Sequence, residues 1–104
     1  MNQFSSNLIK MEIPIQNGDK IILINTLELP QNSSPNEINQ NVYRLNADGD
    51  ILWQIGAPDG IYDKTPFKNI KMDDRGHLKA YNRDGILYEI DVGTGKILGK
   101  QFLK

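Results

Sequence analysis

Two short stretches of the chain contain the residue types of phosphate-binding and metal-binding loops. Gly93–Lys96 reads GTGK, but a phosphate loop needs GxxxxGK followed by Ser or Thr at the start of a helix, whereas here Ile97 follows the lysine and a strand-like sequence continues. Asn46–Asp50 reads NADGD, like the start of a calcium loop, yet Ala57 stands where that loop needs a bidentate glutamate. We interpret both stretches as turns and expect no metal ion.

Residues of the usual catalytic types are scarce. His77 is the only histidine and the chain has no cysteine, so neither a histidine-rich zinc site nor a Cys–His pair can be assembled from it. Asp73 and Asp74 are adjacent, and neighbouring residues of a strand point to opposite faces, which makes them a poor acid–base pair. The sequence therefore predicts a protein that is not an enzyme and that carries no cofactor.

The composition indicates one small domain, residues 1–104. Lys and Arg number 12, Asp and Glu number 13, and the formal net charge is −1, so the chain lacks the positive field that binders of nucleic acid or anionic membranes use. The longest apolar run, Ile21–Ile24, is much shorter than the roughly 20 residues that span a bilayer. Because the start shows no secretory signal and cysteine is absent, we expect a cytoplasmic protein.

The elements that position these residues are short strands separated by turns. Gly, Asn, Asp and Pro interrupt the apolar segments so often that helix is a minor component, and Gly with Asn or Asp is typical of tight hairpin turns. We expect eight strands, at Leu8–Gln16, Lys20–Glu28, Asn41–Asn46, Ile51–Ile55, Phe67–Asp73, His77–Asn82, Ile86–Val92 and Lys96–Phe102.

The chain contains an internal repeat. Tyr43 and Tyr88 lie 45 residues apart, and after one extra residue in the second turn, Gly49 and Gly95 lie 46 apart. Further upstream the IKM triplets that begin at Ile9 and Ile70 suggest another pair of matching strands. The sequence thus predicts two four-stranded repeats, at residues 8–57 and 66–103.

The first repeat carries a polar insertion at about residues 29–41. It is rich in Asn and Ser and is broken by Pro35, so we expect a mobile loop, with a binding loop as the alternative. A period near 45 residues with four strands per unit is typical of propeller blades. The predicted fold is therefore all-β, with two four-stranded antiparallel, blade-like sheets.

Two blades do not close a ring, because propellers usually have about four to eight. Two solutions remain open. The sheets pack into a compact eight-stranded sandwich or barrel, as a monomer or dimer, or several chains complete a ring as a homo-oligomer.

Residues 87–99, LYEIDVGTGKILG, closely resemble the repeat of quinoprotein-like β-propellers. Tyr88, Asp91 and Thr94–Lys96 stand at matching places, but Gly99 replaces the family's tryptophan, which the first copy supplies as Trp53. The resemblance implies that Trp53 docks between neighbouring blades. It implies no quinone cofactor, since nothing in the chain resembles the cofactor-binding residues of the quinoprotein dehydrogenases.

The expected function is a non-catalytic interaction or scaffold module with a protein partner. The alternative is a small multivalent lectin-like protein in which an aromatic ring stacks on sugar. The candidate binding residues are Trp53, Ile61, Tyr62, Phe67 and Tyr81. For the aromatic residues near the junction of the repeats, side-chain packing between the sheets is the competing interpretation.

Overall fold

A computed structural model of the protein describes residues 6–29, 32–56 and 65–102. Within these residues the chain forms two four-stranded antiparallel sheets, each a meander in which strands follow one another in chain order. The first sheet contains β1 (Ile9–Pro14), β2 (Lys20–Ile24), β3 (Val42–Leu45) and β4 (Ile51–Gln54). The second contains β5 (Phe67–Met72), β6 (Leu78–Asn82), β7 (Ile86–Ile90) and β8 (Ile97–Phe102). The all-β prediction is confirmed.

Helical structure in the described residues is limited to short segments. They are three single 3₁₀ turns, Ser6–Leu8, Gln16–Gly18 and Thr26–Glu28, and one helix, α1 (Pro35–Asn39). No described helix is long and apolar enough to cross a membrane.

The pairing of the strands confirms the internal repeat. Tyr43 lies between Ile22 and Gln54 in the first sheet, and Tyr88 lies between Ala80 and Lys100 in the second. Each sheet also has irregular pairing at the same two places. The first place lies between Ile9 and Met11 in β1 and between Phe67 and Asn69 in β5. The second lies between Arg44 and Leu45 in β3 and between Glu89 and Ile90 in β7. The two sheets are therefore copies of one pattern down to their bulges.

The two IKM triplets lie on corresponding strands, β1 and β5, but their residues do not correspond one to one. Ile70 pairs with Ala80, whose counterpart in the first sheet is Ile22, and Ile22 pairs with Glu12. Glu12, and not Ile9, therefore corresponds to Ile70. Backbone pairing with the neighbouring strand sets the register, and a one-residue slip would move every side chain to the other face, so a three-letter coincidence does not decide it.

One hydrophobic core lies between the sheets. We call it the shared core, and its buried side chains come from both repeats; they include Ile21, Leu23, Val42, Ile55, Phe67, Ile70, Leu78, Ala80, Tyr88 and Ile90. Strand β5 lies against both β1 and β2. The two repeats of a chain thus pack face to face.

A second, smaller core lies on the other face of the first sheet. Ile22, Ile24 and Leu45 form this outer cluster, and partly buried Ile9, Leu29 and Tyr43 pack against it. Strand β2 therefore sends alternate residues into two different cores, and none of its four apolar side chains is more than 3% exposed. This strand is therefore buried on both of its faces.

The polar insertion does not form the plain loop that we expected. It contains α1, which begins with the Ser-Pro-x-Glu pattern of a capping box: Ser34 Oγ accepts the Glu37 N–H at 3.2 Å, and the Glu37 carboxylate accepts from Ser34. Amide side chains then anchor its end, because Gln40 donates to the Ile55 carbonyl at 2.8 Å and Asn39 accepts from the Thr65 N–H.

Asn41, at the end of the insertion, joins the two sheets directly. Its Nδ2 donates to the carbonyls of Ile24 and Phe67, both at 3.0 Å, and its Oδ1 accepts from the Phe67 N–H at 2.9 Å. The side chain is 1% exposed. A buried amide in this position satisfies backbone groups that water does not reach.

We expect Asn41→Ala to lower the free energy of unfolding by about 2–3 kcal/mol, because it leaves buried backbone groups without partners. Urea denaturation measures this. Asn69→Ala, at an exposed strand position, is the control and should change the free energy by less than about 0.5 kcal/mol. Equal effects of the two substitutions would contradict the role given to Asn41.

Candidate functional site

The stretches that resemble phosphate and calcium loops are hairpin turns. Asn46 Oδ1 accepts the N–H groups of Asp48 and Asp50, both at 2.9 Å, so this oxygen already serves the backbone. Asp91 accepts the N–H of Gly93 and the hydroxyl of Thr94 in the same way. Asp73 and Asn82 organise two further turns by the same contacts. These side chains shape turns, as is usual for Asn and Asp.

Trp53 fastens the first sheet to a turn of the second. Its Nε1 donates to the Val92 carbonyl at 2.7 Å, and only 7% of the residue is exposed. The indole lies on Gly95, where an added Cβ would come within 2.5 Å of the ring. Trp53 therefore lies at the contact between the two sheets.

Arg44 crosses the same boundary. Its Nε and Nη2 donate to Asp19 Oδ2 at 3.0 and 2.7 Å, while Nη1 donates to the Val92 carbonyl at 2.8 Å. The side chains of Arg44 and Asp19 are each 11% exposed, so this ion pair is largely removed from water. From the sequence, strand alternation places Arg44 on the face opposite Tyr43 and says nothing about its partners. Its partners are distant in sequence, and no local signal named them.

Phe67 is also part of the contact between the sheets. It is 2% exposed and meets Tyr88 edge to face, with ring centroids 5.6 Å apart and an interplanar angle of 81°. The rings of Trp53 and Phe67 are therefore occupied within the chain. Ile61 and Tyr62, the other junction candidates, lie outside the described residues.

Tyr81 is the predicted site residue that lies on an open surface of the described chain. It projects from the face of the second sheet that points away from the first sheet, which we call the outer face. Strand register assigns eight residues to this face: Asn69, Lys71, Lys79, Tyr81, Leu87, Glu89, Gly99 and Gln101. Two shallow depressions, of about 400 and 240 Å³, share Lys79 and Leu87 in their walls. The two depressions are therefore neighbours on the outer face.

The charges of the outer face are unevenly placed. Lys71 stands directly opposite Lys79 on the adjacent strand, and like charges in that position repel. Lys79 Nζ contacts Glu89 Oε1 at 2.9 Å. That hydrogen bond, followed by the charge of Lys79, holds the pKa of the Glu89 carboxyl below its ordinary value. No carboxylate of the described residues is paired with Lys71.

The matching face of the first sheet is apolar. By register, the residues that correspond to Lys71, Lys79, Tyr81, Leu87 and Gly99 are Ile13, Ile21, Leu23, Val42 and Trp53. In the first sheet this face packs on the second sheet. The second repeat therefore keeps the backbone of a sheet-docking face but replaces its side chains with lysines, a tyrosine and a glycine.

A family model described as "Domain of unknown function (DUF7957)" matches residues 5–102. The chain belongs to this family. No curated protein and no solved structure matches it. The match spans both repeats and the insertion, so the DUF7957 domain is the two-sheet unit as a whole and not one blade-like repeat.

In this DUF7957 domain, Gly95→Ala should reduce stability far more than Gly76→Ala. Both glycines have φ near +80°, which strains any residue with a Cβ by about 1–2 kcal/mol, but only at Gly95 would that Cβ meet the indole of Trp53. We expect a loss of at least about 3 kcal/mol at Gly95. Urea denaturation followed by tryptophan fluorescence measures both variants, and equal losses would contradict the contact.

The Lys79–Glu89 pair of the DUF7957 domain should make a pH-dependent contribution to the free energy of unfolding. Because the pKa of Glu89 is lower when folded, its contribution is present above the unfolded pKa and disappears as pH falls through the folded value. We expect Lys79→Ala to raise the pKa of Glu89, measured by carboxyl NMR titration. Lys20→Ala, which removes a different Lys–Glu pair, is the control. An unchanged pKa in Lys79→Ala would contradict the assignment.

Proposed function

We propose that this protein is a non-catalytic protein-interaction module, that it binds through the outer face of the second sheet, and that its partner presents acidic residues there. The observation that carries the proposal is the direct opposition of Lys71 and Lys79 beside half-buried Tyr81 and Leu87.

The charge arrangement supports an acidic partner. Two lysines on directly opposed positions destabilise a sheet slightly, and only one of them has a carboxylate partner among the described residues. A carboxylate from a partner placed near Lys71 would relieve this repulsion. Complementary charge of this kind sets specificity and speeds association more than it adds affinity.

The apolar centre supplies affinity. Tyr81 and Leu87 are directly paired across β6 and β7, and both line the larger depression. A tyrosine next to an aliphatic side chain, surrounded by longer polar ones, is the arrangement in which interface hot spots are found.

The repeat supports the use of this face for docking. In the first sheet, the corresponding face already binds a β-sheet, with Ile21 and Leu23 at the positions of Lys79 and Tyr81. The second repeat offers the corresponding face of a sheet with the same strand order and register, with side chains that remain compatible with water when no partner is bound.

Tyr81→Ala and Lys71→Glu should each weaken binding to a partner captured from the native host. For Tyr81 we expect a loss of about 2 kcal/mol, roughly thirty-fold in Kd, as is typical of a hot-spot aromatic residue. Lys71→Glu should slow association, with a smaller effect at high salt. Surface plasmon resonance with the purified partner at two salt concentrations measures both.

Lys68→Glu is the matched control, since Lys68 is an exposed lysine of the same strand that borders a different depression. Circular dichroism and urea denaturation verify that each variant is folded. A captured partner whose Kd is the same for wild type, Tyr81→Ala and Lys71→Glu would refute the use of this face.

Carbohydrate binding is the second candidate, because Tyr81 lies beside the amide of Asn69 in a depression of about 400 Å³. The repeat does not double this site, since Leu23, at the position of Tyr81 in the first sheet, is fully buried. A glycan array probed with wild type and Tyr81→Ala distinguishes the two functions: a sugar signal lost in the variant would favour the lectin.

A further inference from the structure

We propose that the described parts of the insertion, residues 25–29 and 32–40, form an intramolecular cap, which occupies the face of the first sheet where a further blade would dock and so prevents a second copy of the chain from adding there. The consequence is that copies of the two-sheet unit do not assemble into a ring through this face.

Comparison of the two repeats locates the position that the cap fills. In the second sheet, Tyr88, Ile90 and Ala80 point into the shared core and dock on the first sheet. Their counterparts in the first sheet, by register, are Tyr43, Leu45 and Ile22, which form or contact the outer cluster. The outer cluster is therefore the surface that would meet a preceding blade.

The insertion lies at this surface. Residues 25–41 connect β2 to β3, whereas only residues 83–85 connect β6 to β7. Leu29 packs against the outer cluster. At Tyr43, which packs against the same cluster, Gln54 Nε2 donates to the Gln40 carbonyl at 2.9 Å and to the Tyr43 hydroxyl at 3.0 Å.

The surroundings of the Tyr43 hydroxyl also show that this face is covered. Burial raises the pKa of its hydroxyl, and the negative charge of Glu37, on α1, raises it further, against the lowering effect of the Gln54 hydrogen bond. Tyr43 corresponds to Tyr88, and Gln54 links its hydroxyl to the Gln40 carbonyl of the insertion. The insertion therefore lies at the edge of the face where a preceding sheet would dock.

The other end of the unit does not fit an apolar docking face. On the outer face of the second sheet, Gly99 occupies the place of Trp53, and Lys79 that of Ile21. Contact of this face with an exposed outer cluster would bury lysines against isoleucines. Removal of the cap should therefore pair two outer clusters with each other and produce a symmetric dimer.

The test replaces residues 25–40 by Arg-Asp-Gly, the connection of the second repeat. We expect wild type to sediment as a monomer, and the shortened variant to gain mass with concentration to about two-fold. A shortened variant that is folded and remains monomeric overturns the proposal, and so does a wild-type mass of a trimer or larger.

A pair of leucine variants keeps the proposal falsifiable if the shortened chain does not fold. Leu29 packs on the outer cluster, whereas Leu27, two residues earlier, is 91% exposed. Leu29→Ala should lower the urea midpoint and increase dye binding to apolar surface, and Leu27→Ala should do neither. Leu29→Ala with the midpoint of wild type would show that the segment does not cover the cluster, and would overturn the proposal.

Discussion

A sheet that is apolar on both faces must be covered on both, and the first sheet of this protein is such a sheet. Strand β2 buries Ile21 and Leu23 on one side and Ile22 and Ile24 on the other, with none more than 3% exposed. A single layer of this kind is not stable in water, because each face removes apolar surface from solvent only when another layer covers it. The second sheet covers one face. On the other face, Leu29 of the insertion packs against the outer cluster.

The second sheet is under a weaker constraint, and its sequence differs accordingly. Its inner face repeats the apolar pattern, while its outer face exchanges the core residues of the first repeat for Lys71, Lys79 and Tyr81. A buried position does not accept an unpaired lysine without a large desolvation cost. Among the described residues, the outer face of the second sheet is therefore the one sheet face that no second layer covers. This supports the choice of the same face as the proposed binding surface.

Local rules predicted most of the framework. Period-two alternation and Gly-containing turns located all eight strands, and the offset between Tyr43 and Tyr88 identified corresponding residues correctly. The helix of the insertion was missed, although the Ser34–Glu37 capping box and Pro35 at its first position are readable signals. The Asn-rich and Ser-rich composition outweighed them. The IKM triplets identified corresponding strands but not corresponding residues, because strand pairing and not identical letters sets the register.

The candidate site was harder to predict, because an aromatic side chain near a turn fits a core and a ligand equally well. The rings of Trp53 and Phe67 are occupied by contacts with Gly95 and Tyr88, which lie far away in sequence, while Tyr81 is left open. Nothing local separates the three. The like-charged pair on β5 and β6 was equally invisible, since it arises only once the register places Lys71 opposite Lys79.

The two ends of the unit also differ in the contact that joins repeats. Trp53 requires a glycine opposite its ring, and Gly95 provides it within the chain. Gly49, with φ of +87°, is the counterpart of Gly95 in the first repeat, but the residue that would reach it from a neighbouring copy is Gly99. A head-to-tail contact between chains would thus lack an indole. Replacement of a buried tryptophan by a small residue costs about 3–5 kcal/mol, a large part of the stability of a small domain. The same loss at every junction of a ring would leave those junctions much weaker than the one inside the chain.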